Sequence, residues 1–80
     1  MVTVSFEDKF RKTFSKIKDV NLKERIIKQI QKIRENPEIG KPMRYNRQGT
    51  RELYISPYRI VYAYQEEAIT IIDFYHKDKQ

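Results

Sequence analysis

The apolar residues of this sequence keep two different periods, and the change from one to the other limits what the chain can fold into. Phe6, Phe10, Phe14 and Ile17 recur at helical spacing, and so do Leu22, Ile26, Ile30 and Ile33, a stripe widened by Ile27. Each set forms one apolar stripe on a helix. From Thr50 onward the pattern is one of strands, where alternate side chains share a face. Asn36-Pro37 marks the change, because a residue before proline avoids the α region.

Signals at the segment ends refine this. Val2 to Phe6 reads as a short strand, and Ser5 with Asp8 three residues later has the spacing of a capping box. Asp19 to Asn21 interrupts the first stripe, and Asn21 with Glu24 is placed to cap a second helix. The short connection predicts an antiparallel helical hairpin. Glu38 to Pro42 is a turn region, and Met43 to Asn46 fits a short strand. Thr50 to Ser56 places Arg51, Leu53 and Ile55 on one face and Glu52 and Tyr54 on the other. Ser56-Pro57 is a tight turn, Tyr58 to Tyr64 a strand, Gln65-Glu66-Glu67 a hairpin loop. Ala68 to Tyr75 is apolar enough, through Ile69, Ile71, Ile72 and Phe74, to lie inside the sheet. The expected fold is therefore α+β: an N-terminal helical hairpin packed on a twisted antiparallel sheet, in the order β-α-α-β-β-β-β. A chain of 80 residues is expected to be one domain over 1–80.

Composition removes several functions. With no cysteine and one histidine, a disulfide framework or a structural zinc site is not available. No run reaches the length of a membrane span and no signal peptide opens the chain, so a cytoplasmic location is expected. No metal and no small-molecule cofactor are expected. No triad spacing or phosphate-binding glycine loop occurs. Seventeen Lys and Arg against eleven Asp and Glu give a net charge of +6, which favours a polyanion or an acidic protein as partner.

On the helices that charge is mixed with Glu7, Asp8, Glu24 and Glu35, as on a solvated face. Residues 41 to 59 differ. Lys41, Arg44, Arg47, Arg51 and Arg59 accompany a single acid, Glu52, with Tyr45, Tyr54 and Tyr58 interleaved and Tyr62 just beyond. Arginine forks bind phosphate and tyrosine rings stack on splayed bases, which suits single-stranded RNA. A covering of strand tyrosines with solvated arginines is the plainer alternative. Arg59, between Tyr58 and Ile60 in an apolar strand, calls for a carboxylate partner or a site; Asp73 and Glu52 are the candidate partners. His76 and Lys77 follow Tyr75, where a histidine can move protons and a lysine can stabilise a phosphorane.

Gly40-Lys41-Pro42, Thr50-Arg51-Glu52-Leu53-Tyr54-Ile55 and Pro57-Tyr58-Arg59-Ile60-Val61-Tyr62 resemble the RelE/ParE superfamily pattern "G…R-E-L…Y-R-I-x-Y". Ile71-Ile72-Asp73-Phe74-Tyr75-His76-Lys77 resembles its closing strand and "H-R/K" motif. The resemblance implies a toxin of a type II toxin–antitoxin system, with a cognate antitoxin as partner. For RelE-like members it implies ribosome-dependent, metal-independent cleavage of mRNA in the A site, with mRNA and ribosome as further partners. Arg59 would clamp the scissile phosphate, Lys77 would stabilise the transition state, and His76 or Tyr75 would supply acid–base function. Lys41, Arg44, Arg47, Arg51 and Tyr58 would hold RNA, Arg51 being equally suited to a structural role. Lys77 stands where arginine is more frequent in the family, and no tyrosine follows it. ParE-like members, which share the fold, imply instead a non-enzymatic inhibitor of DNA gyrase; a basic RNA-binding module without activity is the third reading.

Overall fold

The structure is a computed structural model in which residues 2–43 and 49–76 are described. Strand β1 (Thr3–Phe6) leads into helices α1 (Asp8–Ser15) and α2 (Val20–Glu35), followed by β2 (Lys41–Pro42), β3 (Thr50–Ile55), β4 (Tyr58–Gln65) and β5 (Ala68–His76). The strands form one sheet in the order β1-β5-β4-β3-β2. Its ladders are antiparallel except at β1, which runs parallel to β5 from Thr3↔Ala68 to Phe6↔Ile71. The expected α+β fold, its element order and the interior position of β5 are found, with the parallel β1 the one exception in an otherwise antiparallel sheet. Alternation encodes which face a residue takes, not which way a short edge strand runs.

Helix α1 packs on β5 and α2 approaches β3. Phe10, Leu22, Ile26 and Ile33 meet Ile55, Ile60, Tyr62, Ile69, Ile71 and Phe74 in one core. Burying each aliphatic or phenylalanine side chain is worth on the order of 1.5–3 kcal/mol. Phe6, Phe10 and Phe14 stack in series, with ring centroids 5.6 and 5.7 Å apart. Ile27 does not widen the buried stripe: it is 46% exposed. It lines an apolar groove of about 300 Å³ with Phe6, Phe10, Arg11, Phe14 and Ile30.

Both expected helix caps are displaced. Ser5 stays in β1, where its hydroxyl lies 3.3 Å from that of Thr70, and α1 begins after Glu7 without a side-chain cap. Asn21 lies inside α2, and Asp19 is the cap, its carboxylate accepting the Leu22 N–H at 3.2 Å. A carboxylate at a helix N-terminus also gains from the helix dipole, which an asparagine does not. A two-residue strand, β2, lies at Lys41–Pro42, and Met43 follows it outside the strand; the rest of the strand expected at Met43 to Asn46 lies outside the described residues.

Two details of the sheet decide where side chains point. The Ser56-Pro57 peptide is cis, and the two-residue connection pairs Ile55 with Tyr58, hence Tyr54 with Arg59. Between β4 and β5 the register shifts at Val61/Tyr62: Tyr62 pairs with Ile71, but Val61 pairs with Asp73. Ile72 is thus the extra residue of a β-bulge, and beyond it each β5 side chain takes the face opposite to the one simple alternation assigns. The β4–β5 hairpin closes through Glu66 and Glu67, both with positive φ, at 50° and 65°.

Candidate nucleic-acid interface

Among the described residues, the helices cover one face of the sheet and leave the other open. On the open face a row crosses three strands: Tyr54 of β3, Arg59 of β4 and Tyr75 of β5 stand opposite one another. A second row, Glu52, Val61 and Asp73, runs beside it. Lys41 extends this second row onto β2, opposite Glu52. Arg59 Nη1 lies 3.3 Å from Glu52 Oε1, an ion pair whose members are 29% and 26% exposed. Arg59 is therefore neither sealed in the interior nor freely solvated. Asp73, the other candidate partner, is taken by Lys9, whose Nζ lies 3.2 Å from its Oδ2. Asp73 Oδ1 accepts the Phe74 N–H at 2.7 Å.

A cleft of about 430 Å³ opens on this face, lined by Ile39, Lys41, Glu52, Leu53, Tyr54 and Arg59. One wall is the segment from Pro37 to Gly40, held by two side chains. The buried Tyr62 hydroxyl donates to the Pro37 carbonyl at 2.7 Å and accepts the Gly40 N–H at 2.9 Å. Arg51 Nη1 donates to the carbonyls of Gly40 at 2.7 Å and Glu38 at 3.1 Å. Only glycine fits at 40, because an added Cβ would lie 2.7 Å from the Tyr62 hydroxyl and 2.8 Å from the Glu52 carbonyl oxygen. Burial pushes the Tyr62 phenol above its ordinary pKa of 10.0, while the Gly40 N–H and the Arg51 charge pull the other way.

The residues expected to share a site divide. Arg59 and Tyr75 share the open face with Lys41. Tyr58 and His76 stand opposite each other on the helix-covered face. There Tyr58 stacks on Phe74 at 4.8 Å, and His76 meets the Tyr58 ring edge-on at 5.3 Å. Arg51 also lies on that face, committed to residues 38–40. Tyr62, grouped by sequence with the interleaved tyrosines, is a core residue. Arg44, Arg47 and Lys77 lie outside the described residues. Glu52 and Tyr54 are the residues whose importance the sequence underplays. Their place beside Arg59 follows from the register that the two-residue turn imposes.

The chain matches, over residues 2–80, the family described as the ParE toxin of the type II toxin–antitoxin system parDE. It belongs to the ParE toxin family, within the RelE/ParE superfamily. No curated protein matches it. Solved structures with the same fold include the toxin–antitoxin complex RelBE from Escherichia coli, at a TM-score of 0.81 and 19% identity, covering 95% of this chain and 96% of that one. The RelBE2 complex of Mycobacterium tuberculosis matches at a TM-score of 0.81 and 22% identity, over 94% of this chain and 96% of its counterpart. A chromosomal ParDE system of Pseudomonas aeruginosa matches at 0.76 and 15% identity, over 95% and 96%. In this ParE-family toxin, no helix of the described residues is long and apolar enough to cross a membrane.

Proposed function

We propose that this toxin acts on RNA through its open sheet face, as a metal-independent endoribonuclease that cleaves mRNA in the ribosomal A site and so inhibits translation. The observation that carries the reading is the Tyr54–Arg59–Tyr75 row, a guanidinium set between two tyrosines on an uncovered face. A guanidinium offers several donors to phosphate oxygens, and aromatic rings offer stacking surfaces to the flanking bases. Arg59 clamps the scissile phosphate, and its charge stabilises the additional negative charge as the neighbouring 2′-hydroxyl attacks. Lys41 holds flanking RNA. Tyr75 shares the face of Arg59 and takes the acid–base role in preference to His76. Lys77 stabilises the leaving group. The cytoplasm is where this chemistry takes place.

The partner is a cognate antitoxin, a reading supported by the toxin–antitoxin complexes among the structures with this fold. The groove between α1 and α2 takes an amphipathic helix of that antitoxin: its floor is apolar, and Arg11 among its lining residues favours an acidic ligand. Primer extension on a reporter mRNA after induction tests the nuclease. Codon-phased 5′ ends support it; growth arrest with intact mRNA sinks it. A second reading, inhibition of DNA gyrase without catalysis, is favoured by the family match to ParE toxins and by the separation of His76 from Arg59. Loss of gyrase supercoiling with purified toxin, without RNA cleavage, supports that reading.

A further inference from the structure

We infer that Glu52 is an electrostatic gate on Arg59: the carboxylate holds the guanidinium in the free protein and yields it to a phosphate that enters the cleft. The inference rests on the reading of the open face as a phosphate-binding surface, and it adds a means of regulating that surface.

The geometry of the pair is that of an exchangeable counter-ion. Glu52 and Arg59 are not cross-strand partners: Glu52 faces Val61, and Arg59 faces Tyr54. Their contact is diagonal, recorded through one guanidinium nitrogen, and at 3.3 Å is longer than the roughly 2.7–2.9 Å of a tight charge-assisted bond. Arg51, in contrast, reaches the Gly40 carbonyl at 2.7 Å and holds a second carbonyl with the same nitrogen. Both members of the Glu52–Arg59 pair are partly exposed and both line the cleft, so a ligand there meets them directly. Lys41 stands opposite Glu52 on the other side, so the carboxylate keeps a cationic neighbour after Arg59 swings to a phosphate. Lys41, Glu52 and Arg59 sum to a single positive charge; removing the carboxylate charge doubles it. A phosphate must therefore displace Glu52, which weakens binding of simple anions and favours ligands that gain further contacts on the tyrosines.

Two probes test this with the full chain: inorganic phosphate, followed through the Arg59 Nε–Hε resonance, and a short single-stranded RNA, followed by fluorescence anisotropy. Glu52→Gln is expected to bind each about three- to five-fold more tightly, the scale of a partly exposed ion pair. The slope of log affinity against log salt for RNA is expected to steepen by about 0.7, one further phosphate contact on a single strand. The gain for RNA should vanish when Arg59→Ala is added. Equal or weaker phosphate binding by a folded Glu52→Gln protein overturns the gate, and so does a gain that persists without Arg59. If phosphate binding tightens but no variant binds RNA, the RNA reading falls and the gate stands; if no form binds either ligand, both fall. Should Glu52→Gln not fold, Glu52→Asp draws the carboxylate back by one methylene and is expected to shift phosphate binding in the same direction; no shift there overturns the gate.

Discussion

Arg59 and His76 project from opposite faces of the β4–β5 ladder, although Tyr75, one residue earlier, stands directly across from Arg59. The bulge at Ile72 causes this. Without it Arg59 would pair with Phe74 and the faces of Tyr75 and His76 would exchange. Arg59→Ala is therefore expected to reduce RNA cleavage by on the order of a hundredfold or more, the usual cost of losing a preorganised charge donor. His76→Gln should remain within a few-fold of the wild-type toxin. Single-turnover cleavage with both variants measures the ratio, and equal losses would contradict this division of the faces.

Tyr62→Phe removes a hydroxyl that serves two backbone groups of the 37–40 segment. The substitution is expected to cost about 1–3 kcal/mol, because buried polar partners are left unsatisfied. Urea titration measures it. The pH dependence gives a second readout. The folded-state pKa of Tyr62 is raised above 10.0, so its contribution is fully present below that pH and is lost as pH rises through the folded value. The wild-type chain should show an alkaline loss of stability that the Phe variant lacks.

Glu66 and Glu67 occupy a two-residue hairpin turn with both φ values positive, a conformation that Asn-Gly adopts at lower cost. Glu66→Asn with Glu67→Gly is expected to stabilise the toxin by about 0.5–1 kcal/mol. Thermal unfolding checks this. No gain in midpoint would mean that the glutamates are held there by contacts worth as much as the backbone strain.

Ile27→Asp places a carboxylate in the groove between the helices at a position already 46% exposed. Folding stability should change by less than about 1 kcal/mol. Affinity for the antitoxin should fall at least about tenfold, as for a contact in the centre of an interface. The measurements are co-purification and growth arrest: the variant should stay toxic when the antitoxin is coexpressed, while the parent is neutralised.

The helical hairpin and the faces of β3 were legible because each rests on a local period. Arg51, Leu53 and Ile55 do point one way, and Glu52 and Tyr54 the other. The caps misled because Asp19 is as able to cap α2 as Asn21 is, and strand pairing with β5 claimed Ser5. The division of the site was hidden by one residue. Ile69 and Ile71 keep a two-residue beat and Phe74 comes in off it, a trace of the bulge visible once the register is known. The direction of β1 leaves no such trace, since four alternating residues look the same read up or down.

The parallel pairing of β1 with β5 ties Thr3 to Ala68 and Phe6 to Ile71. A ladder between positions some 65 apart along the chain must wait for the last strand, and closing so long a loop is slow compared with forming the local hairpins. During synthesis on the ribosome, β1 has no ladder to join until β5 has emerged, so this edge of the sheet closes only after β2, β3 and β4 have been made.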